Sequence, residues 1–166
     1  MPEVFVGVGG NVKPARHIPR GLAELTARVG PLRLSPVYRS RAVGFAGDDF
    51  YNLVVAFDTD LEVHALDRVL DEVETACGRD RTAPRFASRT LDLDLLLYGD
   101  AVIDEPGLKL PRREILDYAF VLRPLAELAG DRRHPSTGLT FAEHWQRYRD
   151  GEPPLVPVEL PVAAIR

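Results

Sequence analysis

Short runs rich in valine, leucine and aromatic residues alternate along the chain with longer amphipathic stretches. The short apolar runs predict β-strands, which cover residues 4–8, 32–41, 51–59 and 91–98. The first run stops at Gly9-Gly10-Asn11, and this sequence predicts a tight turn in which glycine adopts a positive φ.

Two amphipathic stretches predict helices between these strands. In residues 61–77 apolar side chains recur at steps of three and four, and Gly78 follows as a stop signal. The earlier helix has Pro19 in its first turn and ends at Gly30-Pro31. The resulting order βαββαβ predicts an α+β, ferredoxin-like fold, in which an antiparallel sheet carries both helices on one face.

Residues 99–166 predict additions to this core. A short extended pair follows the fourth strand, and helical stretches are expected near residues 113–128 and 141–149. Residues 1–150 contain no repeat and no change of composition, so they are interpreted as a single domain. Residues 151–166 are interpreted as a Pro-rich C-terminal tail that wraps irregularly or hangs loose.

Composition narrows the class of protein. The chain has 166 residues, of which 45% are hydrophobic and 28% charged, as a packed globular protein requires. A net charge of −4 argues against nucleic acid as a partner. The single cysteine excludes an intrachain disulfide, and no apolar run is long enough for a signal peptide or a membrane span. We therefore expect a cytoplasmic monomer that binds small molecules and no membrane.

The most informative motif is Arg-Thr-Leu-Asp-Leu-Asp-Leu at residues 89–95. Side chains of a strand alternate between faces and repeat on one face about every 6.7 Å, so Asp92 and Asp94 should stand together opposite the leucines. Two carboxylates that repel each other suit a hard cation such as Mg²⁺. Phosphates and water would complete the coordination shell of this cation. The alternative is an ordinary strand with a solvated acidic face.

An arginine-rich segment precedes this motif. It carries Arg79, Arg81, Arg85 and Arg89. The planar guanidinium fork suits bidentate contacts with phosphate, so beside paired aspartates the segment predicts a polyphosphate site. Taken alone, such a segment is more often a solvated surface loop.

Asn52 is a candidate for binding a heterocycle. It follows Phe50 at the start of an otherwise apolar strand, and its carboxamide offers both a donor and an acceptor. A turn residue is the alternative interpretation. The histidines have no metal-ligand spacing, so the aspartates are the predicted metal ligands.

These motifs together resemble the 6-hydroxymethyl-7,8-dihydropterin pyrophosphokinase family. The aspartate motif followed by Leu-Tyr-Gly resembles the family signature, and the resemblance covers residues 4–134. The other matching segments are the Gly-x-Asn turn at residues 9–11, Ser-x-x-Tyr-Arg at 35–39, aromatic-x-Asn at 50–52 and Phe-x-Leu-x-Pro-Leu at 120–125. The resemblance implies Mg-ATP-dependent pyrophosphoryl transfer to the pterin, with release of AMP, in folate biosynthesis.

The resemblance also implies roles for individual residues. Two Mg²⁺ ions would bind Asp92 and Asp94. The residues implied in catalysis are Arg79, Arg89 and Asp94. Those implied in ATP binding are Glu74, Arg81, Arg85, Leu95, Lys109 and Arg112. Those implied in pterin binding are Ser40, Val43, Phe50, Asn52 and Phe120.

Three positions depart from the family pattern. Phe86-Ala87-Ser88 stands where the family usually has Trp-Gly-Pro, Arg112 where it has histidine, and Tyr118 where it has arginine. Two alternatives therefore stay open. One is a related kinase that acts on a modified pterin or another heterocycle, and the other is a non-catalytic binding module of the same fold.

Overall fold

Strands and helices follow one another along the chain in the predicted βαββαβ order, with additions at the C-terminal side. The computed structural model describes residues 1–41, 48–78, 90–148 and 155–160. The strands are β1 (Glu3–Gly10), β2 (Arg33–Leu34), β3 (Val37–Ser40), β4 (Phe50–Asp58), β5 (Asp92–Tyr98), β6 (Ile103–Glu105), β7 (Leu108–Leu110) and β8 (Val156–Val158). The helices are α1 (Pro14–Val29), α2 (Val63–Ala76), α3 (Glu114–Asp117), α4 (Ala119–Ala129) and α5 (Phe141–Arg147).

The main sheet has β4 at its centre, with β1 beside it. Its strand order is β5-β1-β4-β3-β8, with β2 also pairing with β4, and every pair is antiparallel. Strands β6 and β7 form a separate hairpin. This antiparallel arrangement is the ferredoxin-like fold that the sequence predicts, and the fold prediction is thereby confirmed.

Alternate side chains of β1 serve two different cores. Val4, Val6 and Val8 pack with α1 and α2, whereas Phe5 packs with α3, α4 and α5 on the other face of the sheet. This division follows from the two-residue repeat of a strand. Helices α1 and α2 therefore lie on one face, as predicted, and the C-terminal helices cover part of the other face. Within the described ranges, no helix is long and apolar enough to cross a membrane.

The glycines at the end of β1 do not form the predicted turn. Gly9 and Gly10 lie within the strand, where they pair with Asn52 and Tyr51, and neither has a positive φ. A Cβ atom on Gly9 would instead overlap Oδ1 of Asn52. Glycine is needed here because a neighbouring side chain approaches the backbone closely.

Two helix predictions are corrected by the structure. Helix α1 begins at Pro14, so Pro19 lies inside the helix and not in its first turn. The predicted stretch at residues 113–128 is divided at Tyr118, whose φ of −129° and ψ of 129° are extended. Tyr118 therefore ends α3 and starts α4, which changes the direction of the chain between the two helices.

Part of the Pro-rich tail joins the sheet. Residues 156–158 form β8, which pairs with β3 through Val37 with Val158 and Arg39 with Val156. Proline has no backbone N–H to donate to a neighbouring strand. Pro157 is tolerated because β8 is the edge of the described sheet, with no further strand on its outer side to bind. The tail is more ordered at this point than its composition predicts.

Gly21→Ala tests the packing of α1 on the start of β5. A Cβ atom at this position would lie 2.5 Å from Cδ2 of Leu91, whose side chain is 0% exposed. Alanine is the better helix former by about 1 kcal/mol, but overpacking a core costs about 1–3 kcal/mol. We expect a net loss of about 1 kcal/mol in the free energy of unfolding, measured with urea.

The double variant Gly21→Ala/Leu91→Val shortens the Leu91 side chain by one methylene group where the alanine methyl group is added. It should be less destabilised than the sum of the two single variants, because each change relieves the other. Strict additivity would show that these side chains do not compete for the same space.

Candidate functional site

A row of facing residues crosses β4, β1 and β5 near one end of the sheet. Gly9 pairs with Asn52 on one side and with Asp92 on the other, while Gly7 pairs with Asp94. Residues directly opposite one another share a face of the sheet, so Asn52 and Asp92 lie on the same face, two strand spacings or about 10 Å apart. Between them β1 presents Gly7 and Gly9, here called the glycine floor.

The aspartates occupy the face that strand alternation predicts. Asp92 and Asp94 are half-buried, whereas Leu91, Leu93 and Leu95 are buried in the core with α1 and α2. The side chain of Leu95 thus points away from the face that carries the carboxylates. The glycine floor adds no side chain between these carboxylates and Asn52.

Arg112 reaches the carboxylates from the segment after β7. Its guanidinium lies 3.4 Å from Oδ1 of Asp94, and its Nε donates to a carboxylate oxygen of Glu114. Burial disfavours the charge of this guanidinium, but the attraction of Asp94 and the other nearby carboxylates raises the pKa of Arg112 above its ordinary value. A cationic group is therefore favoured beside Asp94.

Glu74 supports β5 from helix α2. Its side chain is buried, and its Oε2 accepts a 2.7 Å hydrogen bond from the backbone N–H of Leu93. Leu93 lies between the two aspartates, and β5 is the last strand on this side of the described sheet. Glu74 thereby satisfies a backbone donor that β1 does not bind.

The described residues among those predicted to bind the pterin lie on β3, β4 and α4. Ser40 on β3 pairs with Phe50 on β4, two residues before Asn52. Phe120 lies in the first turn of α4, which packs on this face of the sheet, and stacks on Tyr118 with ring centroids 4.9 Å apart and planes at 19°.

Tyr38 has a role that the sequence did not predict. It faces Asn52 across β3 and β4, and its hydroxyl donates to the carboxylate of Glu127 on α4. Burial, together with this hydrogen bond, raises the pKa of Tyr38 to about 12. Arg123 covers the Tyr38 ring at 4.6 Å from its centroid and lies 5.9 Å from that of Trp145. These contacts tie β3 to α4, which carries Phe120 in its first turn. The Ser-x-x-Tyr-Arg motif contained this tyrosine but gave it no partner.

Several predicted residues remain apart from this site or outside the described chain. Lys109 lies on β7, which packs beside β5, and its Nζ is 3.8 Å from Oδ1 of Asp104 in the same hairpin. The predicted residues outside the described ranges are Val43, Arg79, Arg81, Arg85 and Arg89, as is the segment 86–88.

The carboxylate pair fits a metal that arrives with its own ligands. Among the described residues, no group of three or more His, Cys, Asp or Glu could hold an ion alone. Mg²⁺ commonly takes only one or two protein carboxylates, together with substrate phosphates and water. Asp92 and Asp94 supply that donor set, and the attraction between Asp94 and Arg112 shows that positive charge is favoured there.

Comparisons with known proteins point to one group of enzymes. A family model described as 7,8-dihydro-6-hydroxymethylpterin-pyrophosphokinase (HPPK) matches residues 5–130. A 2-amino-4-hydroxy-6-hydroxymethyldihydropteridine pyrophosphokinase from Pseudomonas aeruginosa is 40% identical over 139 residues, which cover 81% of this chain and 85% of the relative. The enzyme of that name from Synechocystis is 38% identical over 141 residues, covering 83% of this chain and 72% of the relative.

A solved structure supports the fold independently. The wild-type Plasmodium falciparum HPPK-DHPS with SDX-DHP superimposes with a TM-score of 0.70 over 89% of this chain. The identity is 11%, so this similarity concerns the fold alone, and the chain spans 44% of that longer protein.

Replacing Glu74 tests its support of β5. Glu74→Ala leaves the buried N–H of Leu93 without its acceptor, which should lower the free energy of unfolding by about 1–3 kcal/mol. Glu74→Gln keeps a carbonyl acceptor and should lose clearly less. Urea unfolding measures the stability, and amide hydrogen exchange at Leu93 should be faster in the alanine variant. Equal stability of the two variants, with unchanged exchange at Leu93, would contradict this role.

Proposed function

Because the chain belongs to the 7,8-dihydro-6-hydroxymethylpterin-pyrophosphokinase family, we propose that it transfers a pyrophosphoryl group from ATP to 6-hydroxymethyl-7,8-dihydropterin in folate biosynthesis. The hydroxymethyl oxygen of the pterin forms a bond to the β-phosphorus of ATP and loses its proton. The bond from that phosphorus to the α,β-bridging oxygen breaks, and AMP leaves with that oxygen. This reaction requires in-line positioning and neutralisation of charge more than covalent catalysis.

The arrangement across the glycine floor is the observation that supports this proposal most directly. Asn52 lies on one side of Gly9 and Asp92 on the other, both on the same face of the sheet. An amide suited to the edge of a heterocycle and carboxylates suited to a phosphate-bound cation are thus about 10 Å apart. A flat ring and a polyphosphate can be held side by side on such a surface.

The pterin is proposed to bind on the β4 side. Asn52 would hydrogen-bond its polar edge, and Phe120 would stack on its ring, with Ser40, Val43 and Phe50 around them. Tyr118 stacks on Phe120 and extends the aromatic surface at the start of α4. Tyr118 stands where the family has an arginine, so this side of the site carries less positive charge. A modified pterin therefore stays open as an alternative substrate.

The nucleotide is proposed to bind on the β5 side. Asp92 and Asp94 would hold Mg²⁺, which when bound neutralises phosphate charge and makes the β-phosphorus more electrophilic. Arg112 is proposed to contact ATP through its guanidinium, Leu95 through its backbone alone and Lys109 from the β6–β7 hairpin. Glu74 would act on the nucleotide side indirectly, by holding Leu93. Arg79 and Arg89, assigned from the sequence, would neutralise the phosphates during transfer, and Arg81 and Arg85 would close over ATP.

The cellular setting is also a proposal. A net charge of −4 and a single, buried cysteine fit a monomer that works in the cytoplasm without nucleic-acid or membrane partners.

Asp92→Asn and Asp94→Asn test the metal assignment. Each should lower AMP formation by at least about 100-fold, because the phosphates lose a ligand of their counter-ion. Asp92→Asn should not lower the melting temperature without Mg²⁺, since removing one of two like charges relieves repulsion, and Asp94→Asn should change it little, because that relief offsets the loss of a partly exposed ion pair with Arg112. AMP is measured from ATP with and without the hydroxymethyl pterin.

Asp58→Asn is the matched control, because it removes the same charge from an exposed position at the far end of β4 and should keep normal turnover. Near-normal turnover of either site variant would show that the metal assignment is wrong. A non-catalytic module predicts no Mg²⁺-dependent ATP binding in the wild type, and a related kinase predicts faster turnover with another pterin.

Gly9→Ala tests the pterin side. Its Cβ atom would overlap the Asn52 carboxamide, so the variant should bind the pterin about tenfold more weakly while its affinity for ATP changes little. Gly7→Ala is the control in the same strand, because its Cβ atom would lie 3.7 Å from Leu96, an ordinary contact. Calorimetry with a non-hydrolysable ATP analogue measures both affinities. An equal loss of pterin affinity in the two variants would contradict the assignment of Asn52.

A further inference from the structure

Arg112 is held at the carboxylate pair by the backbone as well as by its charge. The β1–β5 register pairs Val6 with Leu95 and Phe5 with Leu97, so Leu96 has no partner on β1. The carbonyl of Leu96 accepts a 3.0 Å hydrogen bond from the backbone N–H of Arg112. A local irregularity of the strand therefore fixes the start of the Arg112 side chain two residues beyond Asp94.

The side chain then spans two carboxylates. Glu114 binds its Nε, and Asp94 lies 3.4 Å from a terminal nitrogen. Arg112 and Asp94 are 40% and 41% exposed, so water weakens their attraction without abolishing it. Asp92 also attracts this guanidinium. Arg112 thus supplies part of the positive charge that the two aspartates require when no substrate is bound.

A metal ion and Arg112 compete for the same oxygen atoms. A bare divalent cation at Asp94 must displace the guanidinium or tolerate its repulsion, because both are positive. A cation bound to a polyphosphate brings negative oxygen atoms along, and these can accept the guanidinium that Asp94 releases. The free-energy cost of displacing Arg112 is therefore offset only when the nucleotide arrives with the metal.

We infer that Arg112 is a resident counter-cation of the Asp92–Asp94 pair, which disfavours bare divalent cations and couples metal binding to the nucleotide. The inference rests on the proposed function for the identity of the nucleotide, but the competition at Asp94 does not. Arginine keeps its charge at every working pH, whereas the family's histidine titrates near neutrality. The coupling should therefore be present across the neutral pH range in this chain.

Binding of Mn²⁺ alone, measured by calorimetry or electron paramagnetic resonance, tests the inference. Arg112→Gln should bind bare Mn²⁺ about three- to tenfold more tightly than the wild type, because the competing charge is gone. Addition of a non-hydrolysable ATP analogue should tighten Mn²⁺ binding less in this variant than in the wild type, by about the same factor.

Arg113→Gln is the matched control. Arg113 is the next residue, its side chain is 88% exposed, and it pairs with Asp117 and not with the site aspartates. This variant has the same change of net charge and should bind bare Mn²⁺ within about twofold of the wild type. Arg112→Lys keeps a cation near Asp94 and should also stay within about twofold. Arg112→Met removes the charge, should bind bare Mn²⁺ as tightly as the glutamine variant, and serves if that variant does not fold.

Bare Mn²⁺ that binds Arg112→Gln no more tightly than Arg113→Gln would overturn the inference, as would Mn²⁺ that binds neither protein measurably. AMP formation in the same samples separates this result from the proposed function. A wild type without pyrophosphoryl transfer, but with tighter Mn²⁺ binding in Arg112→Gln, would overturn the proposed function and keep the inference. Normal pyrophosphoryl transfer in the wild type, with Mn²⁺ binding unchanged in Arg112→Gln, would keep the proposed function and overturn the inference.

Discussion

The site depends on the register of β5, an edge strand whose two faces carry opposite kinds of residue. Leucines at 91, 93 and 95 enter the core, and this fixes Asp92 and Asp94 on the other face. A slip of one residue would bury both carboxylates against α1 and α2, which is far more costly than any contact that the site makes. Pairing with β1 holds the register on one side, and Glu74 holds it on the other by accepting from Leu93.

The same constraint explains why the two halves of the site can be separate and still cooperate. The aspartates belong to β5 and Asn52 to β4, and β1 lies between them with glycine at both relevant positions. Neither half shares a side chain with the other, so each can change without the other. The departures from the family pattern that the sequence suggests fall on both sides, with Tyr118 stacked on Phe120 and Arg112 at the carboxylates.

Periodicity made the strand order, the two long helices and the face of the aspartates predictable, because these depend on residues close in sequence. Contacts between distant segments escaped prediction. The function of Gly9 depends on Asn52 from another strand, and the partners of Tyr38 and Arg112 lie on other elements. The glycine-rich sequence was interpreted as a turn because local rules cannot distinguish a positive φ from close packing. The strand within the Pro-rich tail was not predicted for a similar reason, because β8 forms only by pairing with the distant strand β3.

The position of β8 has a consequence for self-association. Open sheet edges present unpaired N–H and C=O groups that can pair with another copy of the chain. Without β8, the backbone groups of Val37 and Arg39 that pair with it would form such an edge. Pro157 on the covering strand has no N–H, so β8 is a poor template for a further strand. Strand β8 therefore covers an edge that could otherwise pair with another copy, and variants that lack residues 156–158 should be judged by their solubility as well as by their stability.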